Sequence, residues 1–257
     1  MLHATLDGPR DAPVIVFLHA VGTTAWMWRD VVAELADFRT VLIDLPGHGM
    51  SRDTPWTSLQ QSADQVADVI NRHVPTSDVH LVGLSLGSYV GLNVVLRHPA
   101  LCTTALFSGI HPGGMPRKWL MKCVSALAAP LAPRPAFAKR TARMMGAQTD
   151  IDGFVKAAGQ TRPAAFRRAT NDVVDFDVPT VAHAPETRLA FVSGSREHPL
   201  ILAGLESFQD RFDGSVTAIA NDLGHGWAGE DPTLFAQFVR AHIAARLPET
   251  AKDLQDG

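Results

Sequence analysis

Short apolar segments rich in β-branched residues alternate with longer amphipathic segments, and this alternation restricts the possible folds more than any other feature of the sequence. The segments with the composition of buried strands are residues 14–19, 40–44, 79–84 and 103–108. The segments with apolar residues at helical spacing are residues 28–35, 59–73 and 86–98. Buried strands separated by helices form a mostly parallel sheet that is covered on both faces. The sequence therefore predicts an α/β fold.

The alternation stops after Ser108 and resumes much later in the chain. From Pro112 to about Pro185 the sequence is rich in Pro, Ala and Met, with helical patches and no strand-like run. Strand patterns return at 187–194 and 215–221, and a last helix is predicted over 232–247. We therefore predict an α/β core formed by residues 1–111 and 186–257, with a helical cap, residues 112–185, inserted after the strand that ends near Ser108. Such inserted segments commonly form lids over active sites.

Composition excludes several classes of function. Net charge is −3 and no run of Lys or Arg is present, so the chain does not resemble a nucleic-acid binder or a membrane-surface binder. A small neutral molecule is the expected partner, and the sequence does not indicate an oligomeric state. No dinucleotide-binding fingerprint and no cluster of metal-ligating residues is present, so neither cofactor nor metal is expected.

Three features predict a cytoplasmic protein. Cys102 and Cys123 are the only cysteines and occur in unlike settings, so we expect both to be free, as in a reducing compartment. The N-terminal residues lack the basic and then apolar order of a secretory signal. No apolar run approaches the roughly 18 residues that a spanning helix requires.

The strand-like segment 79–84 leads directly into Gly83-Leu-Ser85-Leu-Gly87, a serine with a glycine two residues away on each side. In a G-x-S-x-G sequence the serine occupies a sharp turn between a strand and a helix, and the glycines avoid collisions between those two elements. A serine hydroxyl held clear of its neighbours can act as a nucleophile once a base accepts its proton. Ser85 is therefore the candidate nucleophile.

Three other motifs occur at strand ends in a consistent order. They are LHAVGTTAWMW at 18–28, DLPGHGMS at 44–51 and LGHGWAGEDPTLF at 223–235. Together with the serine motif they resemble the α/β-hydrolase family, of the lidded, single-domain kind. The resemblance extends over nearly the whole chain outside the predicted cap, and it implies the α/β-hydrolase fold with a helical cap.

The resemblance also implies roles for individual residues. Ser85 would be the nucleophile and His225 the base that takes its proton, and the backbone N–H groups of Leu86 and Val21 would form the oxyanion hole. The family usually has His-Gly where this chain reads His19-Ala20.

The acidic partner of the histidine has two candidates. The family pattern Gly-x-x-Asp corresponds to Gly194-Ser-Arg-Glu197 in this chain, which makes Glu197 the first choice. Asp222 is the alternative because it lies three residues before His225. In the other motif loops, His19, His48 and Asp44 are expected to hold the backbone rather than to react.

A serine, a base and an oxyanion hole support acyl transfer to water through an acyl-enzyme. Related hydrolases with an aspartate nucleophile are excluded because a serine occupies position 85, and epoxide hydrolases need lid tyrosines whereas Tyr89 is the only tyrosine. The leading prediction is hydrolysis of a small or medium, largely apolar ester, thioester or lactone. Two alternatives remain: a carbon–carbon bond hydrolase of the meta-cleavage-product type, and a ligand-binding protein without turnover.

Apolar residues of the predicted cap are candidates for lining an acyl pocket, although most of them are expected to form the cap's own core. They include Trp119, Leu120, Met121, Met144, Met145, Phe154 and Phe166.

Overall fold

A computed structural model describes residues 1–74, 78–145, 150–179 and 186–247. It contains one sheet of seven strands, in the order β1-β3-β2-β4-β5-β6-β7. The strands are β1 (Ala4–Asp7), β2 (Val14–Leu18), β3 (Arg39–Ile43), β4 (Val79–Leu84), β5 (Thr104–Ser108), β6 (Arg188–Gly194) and β7 (Val216–Ala220). Only β1 runs antiparallel to its neighbour, and the other pairs are parallel. The predicted α/β fold with a mostly parallel sheet is confirmed.

The helices are α1 (Arg29–Ala33), α2 (Leu59–His73), α3 (Leu86–Arg97), α4 (Lys118–Ala128), α5 (Pro135–Met144), α6 (Ile151–Gly159), α7 (Pro163–Asp175), α8 (Pro199–Arg211), α9 (Trp227–Glu230) and α10 (Pro232–Ile243). Side-chain caps fix where several of them begin. Ser58 accepts a hydrogen bond from the Gln61 N–H at the start of α2, and Asp231 accepts one from the Leu234 N–H at the start of α10.

Helices cover the sheet on both faces, so the central strands are buried throughout and mostly apolar. Every residue of β2, β4 and β5 is buried. One apolar cluster includes Val16, Leu81 and Phe107, and another includes Phe17 and Val82 on the opposite face. The parallel order brings the carboxyl ends of these strands to one edge, which is where ligands bind in open α/β sheets.

Four helices, α4 to α7, occupy the chain between β5 and β6, and no strand occurs among the described residues of this segment. A small apolar cluster joins α5 and α6 through Ala138, Ala142 and Phe154. These four helices lie within the predicted cap. The boundaries 112–185 and 186–257 remain a prediction, since residues 180–185 and 248–257 lie outside the described residues.

Sequence patterning missed three elements outside the predicted cap. Strand β1 is short and half exposed, and α8 begins at Pro199 directly after the loop that contains Glu197. Helix α9 has only four residues, between the histidine loop and α10. The predicted last helix is shorter than expected and ends at Ile243. Among the described residues, no helix is both long and apolar enough to cross a membrane.

Candidate active site

Ser85 lies at a strained turn between β4 and α3. Its backbone has φ 53° and ψ −118°, a conformation that residues other than glycine rarely adopt. A Cβ atom on Gly83 would come within 2.6 Å of the Gly87 backbone, and one on Gly87 would come within 2.0 Å of the Leu18 carbonyl oxygen. Both glycines are therefore required by close backbone approach, as the sequence predicts.

Ser108, at the end of β5, joins the serine turn to the histidine loop. Its carbonyl oxygen accepts hydrogen bonds from the Ser85 N–H at 2.8 Å and from Oγ of Ser88 at 2.7 Å. Its own Oγ accepts a hydrogen bond from the indole N–H of Trp227, also at 2.8 Å. Since Ser108 and Trp227 are both fully buried, this contact fixes the loop of His225 relative to the turn.

His225 lies on the loop between β7 and α9, and Glu197 lies on the loop after β6. Nδ1 of His225 donates to Oε2 of Glu197 over 2.5 Å. The Glu197 side chain is only 5% exposed and that of His225 is 22% exposed. A Cβ atom on Gly109 would come within 2.7 Å of Cε1 of His225, so the ring packs against the residue that follows Ser108. The nucleophile turn and the imidazole thus both contact the end of β5.

The second carboxylate oxygen of Glu197 is also occupied. Oε1 accepts a hydrogen bond from the His198 N–H at 2.8 Å, which orients the carboxylate toward the imidazole. Asp222 is exposed, and its contact in the structure is a backbone one, from its N–H to Oγ of Ser195. Among the described residues, no ion pair or hydrogen bond joins Asp222 to His225. The structure therefore brings His225 together with Glu197 and not with Asp222.

Glu230 connects the two loops that carry these side chains. Its Oε1 accepts a hydrogen bond from the Gly224 N–H at 2.9 Å, and its Oε2 pairs with Arg196 at 2.7 Å. The Arg196 N–H in turn donates to the Leu223 carbonyl oxygen at 2.8 Å. These contacts hold the residue before His225 close to the residue before Glu197.

Two backbone N–H groups are the predicted oxyanion-hole donors. The N–H of Leu86 directly follows Ser85 in the chain, and the N–H of Val21 belongs to the loop after β2. Leu86 is the first residue of α3, where backbone N–H groups have no intrahelical acceptor. Neither N–H donates a hydrogen bond to another described residue. The adjacent N–H of Gly22 is engaged by Nε2 of His48 at 3.3 Å. Both groups remain available to a ligand.

His19 and His48 hold backbone groups, as the sequence predicts. The Leu45 N–H donates to Nε2 of His19 at 2.9 Å, and Nδ1 of His48 donates to the Pro46 carbonyl oxygen at 2.9 Å. Burial lowers the pKa of both imidazoles, that of His48 to about 3. Two uncharged rings are suited to a structural role.

Asp44 likewise stabilises its loop, as predicted. Its two carboxylate oxygens accept hydrogen bonds from the Ala25 N–H at 2.9 Å and the Met50 N–H at 2.8 Å. The carboxylate thus ties the loop after β2 to the loop after β3.

A cavity of about 60 Å³ lies beside these loops. Its lining residues are Ala20, Thr23, Trp26, Met27, Asp30, Leu84, Met145, Asp150, Phe154, Gly226 and Gly229. Three of them are the immediate neighbours of Val21, Ser85 and His225 in the chain. A larger groove of about 600 Å³ lies along β1, β3 and α1, and none of its lining residues is a sequence-predicted site residue. The small cavity is therefore the better candidate for substrate.

The apolar cap residues are divided between the cavity and the surface. Met145 and Phe154 line the cavity, and a Cβ atom on Gly22 would contact the ring of Phe166 at 3.1 Å. The other candidates face outward, with exposed fractions of 69% for Trp119 and 76% for Met144. Leu120 and Met121 are also exposed.

A sequence model of the alpha/beta hydrolase family matches residues 15–238 of the chain. The chain belongs to the alpha/beta hydrolase family. Among solved structures, the chain is similar to the esterase EaEST from Exiguobacterium antarcticum, with a TM-score of 0.82 and 17% identity over 95% of each chain. At that identity the likeness shows the shared fold.

Curated relatives match this alpha/beta hydrolase over shorter stretches. A 2-succinyl-6-hydroxy-2,4-cyclohexadiene-1-carboxylate synthase from Enterobacter sp. (strain 638) is 32% identical over 109 residues, which are 42% of each chain. The 3-oxoadipate enol-lactonase 1 of Acinetobacter baylyi is 35% identical over 92 residues, 35% of this chain and 34% of that protein. The matched stretches thus span less than half of each relative.

Sequence reasoning missed several residues that position the site. Ser108 and Trp227 were not recognised because a buried serine and a tryptophan after a histidine loop are ordinary core residues in sequence. Glu230 lies in the predicted last-helix motif, and only the contact with Gly224 reveals its role. Gly109 carried the one available signal, a glycine directly after a buried strand.

Proposed function

We propose that this chain is a serine hydrolase in which Ser85 is the nucleophile, His225 the base and Glu197 the acid that orients it. The observation that carries the proposal is the 2.5 Å contact between Nδ1 of His225 and Glu197. The imidazole ring also packs against Gly109, next to Ser108, whose carbonyl oxygen holds the Ser85 N–H. An imidazole whose Nδ1 proton is held by a carboxylate presents Nε2 as the base.

The reaction follows from these groups. Oγ of Ser85 bonds to the carbonyl carbon of an ester while its proton passes to Nε2 of His225. The negative oxygen of the tetrahedral intermediate accepts hydrogen bonds from the Leu86 and Val21 N–H groups. Collapse breaks the bond to the leaving oxygen, which takes the proton from His225. Water then repeats both steps on the acyl-enzyme, releases the carboxylic acid and restores Ser85.

The cavity favours a small and uncharged group on the substrate. A volume of about 60 Å³ is well below the roughly 300–1,000 Å³ of pockets for drug-sized ligands. Its described lining residues include the apolar side chains of Met27 and Phe154, together with two carboxylates, Asp30 and Asp150, and no Lys or Arg. Both carboxylates pair with Arg29, which is not a lining residue. Because an unpaired charge is costly to bury, a neutral ester, thioester or lactone with a short acyl chain fits better than a carboxylated substrate. The enol-lactonase relative supports including lactones.

The proposal is tested by labelling the purified chain with a fluorophosphonate and by measuring hydrolysis of p-nitrophenyl acetate. We expect a single label on Ser85, and a loss of kcat of about 10⁴-fold in Ser85→Ala. Ser207→Ala is the matched control, because Ser207 is a half-buried serine on α8 that takes part in none of the site contacts described above. That variant should keep both labelling and turnover.

Other outcomes would support the alternatives. Turnover of a vinylogous diketone substrate without turnover of any ester would indicate a carbon–carbon bond hydrolase. Labelling that persists in Ser85→Ala would remove Ser85 from the mechanism. Absence of both labelling and turnover in the unmodified chain would leave a ligand-binding role. The predicted cytoplasmic location also remains a prediction, and both cysteines are free, as expected from the sequence.

A further inference from the structure

Helix α4 presents its apolar side to solvent. Leu120, Val124, Leu127 and Leu131 recur at intervals of three and four residues and therefore lie on one face along the helix and the turn after it. They are 39%, 54%, 74% and 37% exposed. We call these four residues, together with Trp119 and Met121, the outer face. An apolar helix face normally packs against the core of the protein.

The opposite side of α4 is the one that packs against the protein, and it is polar. Lys118 and Lys122 form ion pairs with Asp177 and Asp175, which lie at and just beyond the end of α7. Ser125 is buried and its hydroxyl lies against α7. Helix α4 is thus amphipathic, but its polar side faces the protein and its apolar side faces solvent. The contacts of the polar side with α7 fix this orientation.

The stretch of sequence that contains the outer face is strongly basic. Residues 112–145 contain seven Lys or Arg and no Asp or Glu, whereas the whole chain has a net charge of −3. Two of the seven are the paired Lys118 and Lys122. The other five are exposed and have no ion-pair partner among the described residues: Arg117, Arg134, Lys139, Arg140 and Arg143.

We propose that the outer face of α4 docks the protein onto an anionic phospholipid surface. A helix with Trp and aliphatic residues on one face and basic residues around it lies in the plane of such a surface, with its apolar side among the acyl chains. Aromatic side chains such as Trp119 favour the headgroup region. The basic residues supply the charge complement to anionic lipids.

A lipid surface suits these observations better than a second copy of the chain. Self-association through the outer face would bring two copies of this basic segment together, and like charges repel. A fluid lipid surface can also accommodate the side chains of the outer face without a groove of complementary shape. The mode of binding is peripheral, since α4 has only 11 residues. The net charge of the whole chain led to the opposite expectation, because it averages over the excess of Lys and Arg in residues 112–145.

The test is co-sedimentation of the full chain with vesicles of phosphatidylcholine alone and of phosphatidylcholine mixed with phosphatidylglycerol. We expect binding to the mixed vesicles and little to phosphatidylcholine alone. Val124→Ser combined with Leu127→Ser should lower the partition coefficient by about tenfold or more. Lys139→Gln and Arg140→Gln should each lower it by about fivefold, and high salt should act in the same direction.

Matched controls separate the outer face from general surface effects. Met50 is 70% exposed and lies outside the cap, so Met50→Ser removes a comparable apolar side chain elsewhere. Arg52→Gln removes an exposed charge near it. Neither control should change vesicle binding. A thiol-reactive fluorophore on the exposed Cys123 should shift to shorter wavelength with mixed vesicles, while the buried Cys102 stays unlabelled.

Three outcomes would overturn the proposal. They are absence of binding to either vesicle, equal loss of binding in the Met50→Ser control, and a dimer in sedimentation velocity that dissociates in the Val124 and Leu127 variant without any vesicle binding. The last outcome would assign the outer face to self-association. Solution hydrolysis of a short ester is measured separately and does not decide this question.

Discussion

Nδ1 of His225 lies 2.5 Å from Oε2 of Glu197, whereas Asp222, only three residues away from the histidine in sequence, points its backbone N–H at Ser195 instead. Of the two candidate carboxylates, the structure places only Glu197 within hydrogen-bonding distance of the imidazole among the described contacts. The reason is the loop after β6, where the His198 N–H holds one oxygen of Glu197 and leaves the other for the imidazole.

Replacement of Glu197 should therefore be severe and replacement of Asp222 mild. We expect Glu197→Gln to lower kcat by about 10² to 10⁴, because the amide no longer fixes the tautomer or stabilises the imidazolium. Asp222→Asn should cost less than about tenfold. Steady-state hydrolysis of p-nitrophenyl acetate measures both, and the reverse ranking would transfer the role to Asp222.

Glu230 should act as a positioning residue for the histidine loop. Glu230→Ala removes the acceptor of the Gly224 N–H and the partner of Arg196. We expect kcat to fall by about tenfold or more with KM nearly unchanged, since orientation of the base is lost while the cavity is retained. Arg196→Ala leaves the contact with Gly224 and should cost less. A proportional rise in KM for both variants would indicate a change in the cavity instead.

Enlargement of the cavity should alter acyl preference more than chemistry. Phe154 lines the cavity, so Phe154→Ala should favour longer acyl chains by roughly 1–3 kcal/mol for each methylene-sized change, relative to acetate. Trp119→Ala is the control, because Trp119 is 69% exposed on the outer face of α4. A series of p-nitrophenyl esters measures the preference, and an equal shift in both variants would place substrate along α4.

Buried histidines should make the fold sensitive to acid. Burial lowers the pKa of His242 to about 4, whereas the pKa of a histidine side chain in the unfolded chain is about 6.5. As pH falls below about 6.5 the unfolded chain gains the proton first, so the free energy of unfolding should decrease by up to about 1.4 kcal/mol per pH unit for this group, until about pH 4. Above that window its stabilising contribution is complete.

Urea unfolding of the parent and of His242→Gln across this pH range measures the effect. In the variant, the free energy of unfolding should depend less steeply on pH, by the amount that corresponds to the uptake of about one proton. The same change at His73, at the end of α2, controls for the substitution itself. Identical slopes in the parent and His242→Gln would show that His242 does not couple to folding.

The sequence by itself determined the architecture and the order of the motifs. Buried strands, amphipathic helices and tight glycine corners are local patterns, and backbone geometry converts them directly into a parallel sheet with Ser85 at a strand-to-helix turn. The expectation that Asp44, His19 and His48 hold backbone groups also followed from the sequence, although the partner loops, as in the bonds from Ala25 to Asp44 and from Leu45 to His19, were seen only in the structure.

Features that depend on contacts between distant parts of the chain were decided only by the tertiary structure. The pairing of Glu197 with His225, the packing of that ring against Gly109 and the clamp formed by Glu230 each join residues from different loops. The outward direction of α4 belongs to the same class. Periodicity reports that a helix has an apolar face, but the ion pairs of Lys118 and Lys122 with the end of α7 decide which way that face points.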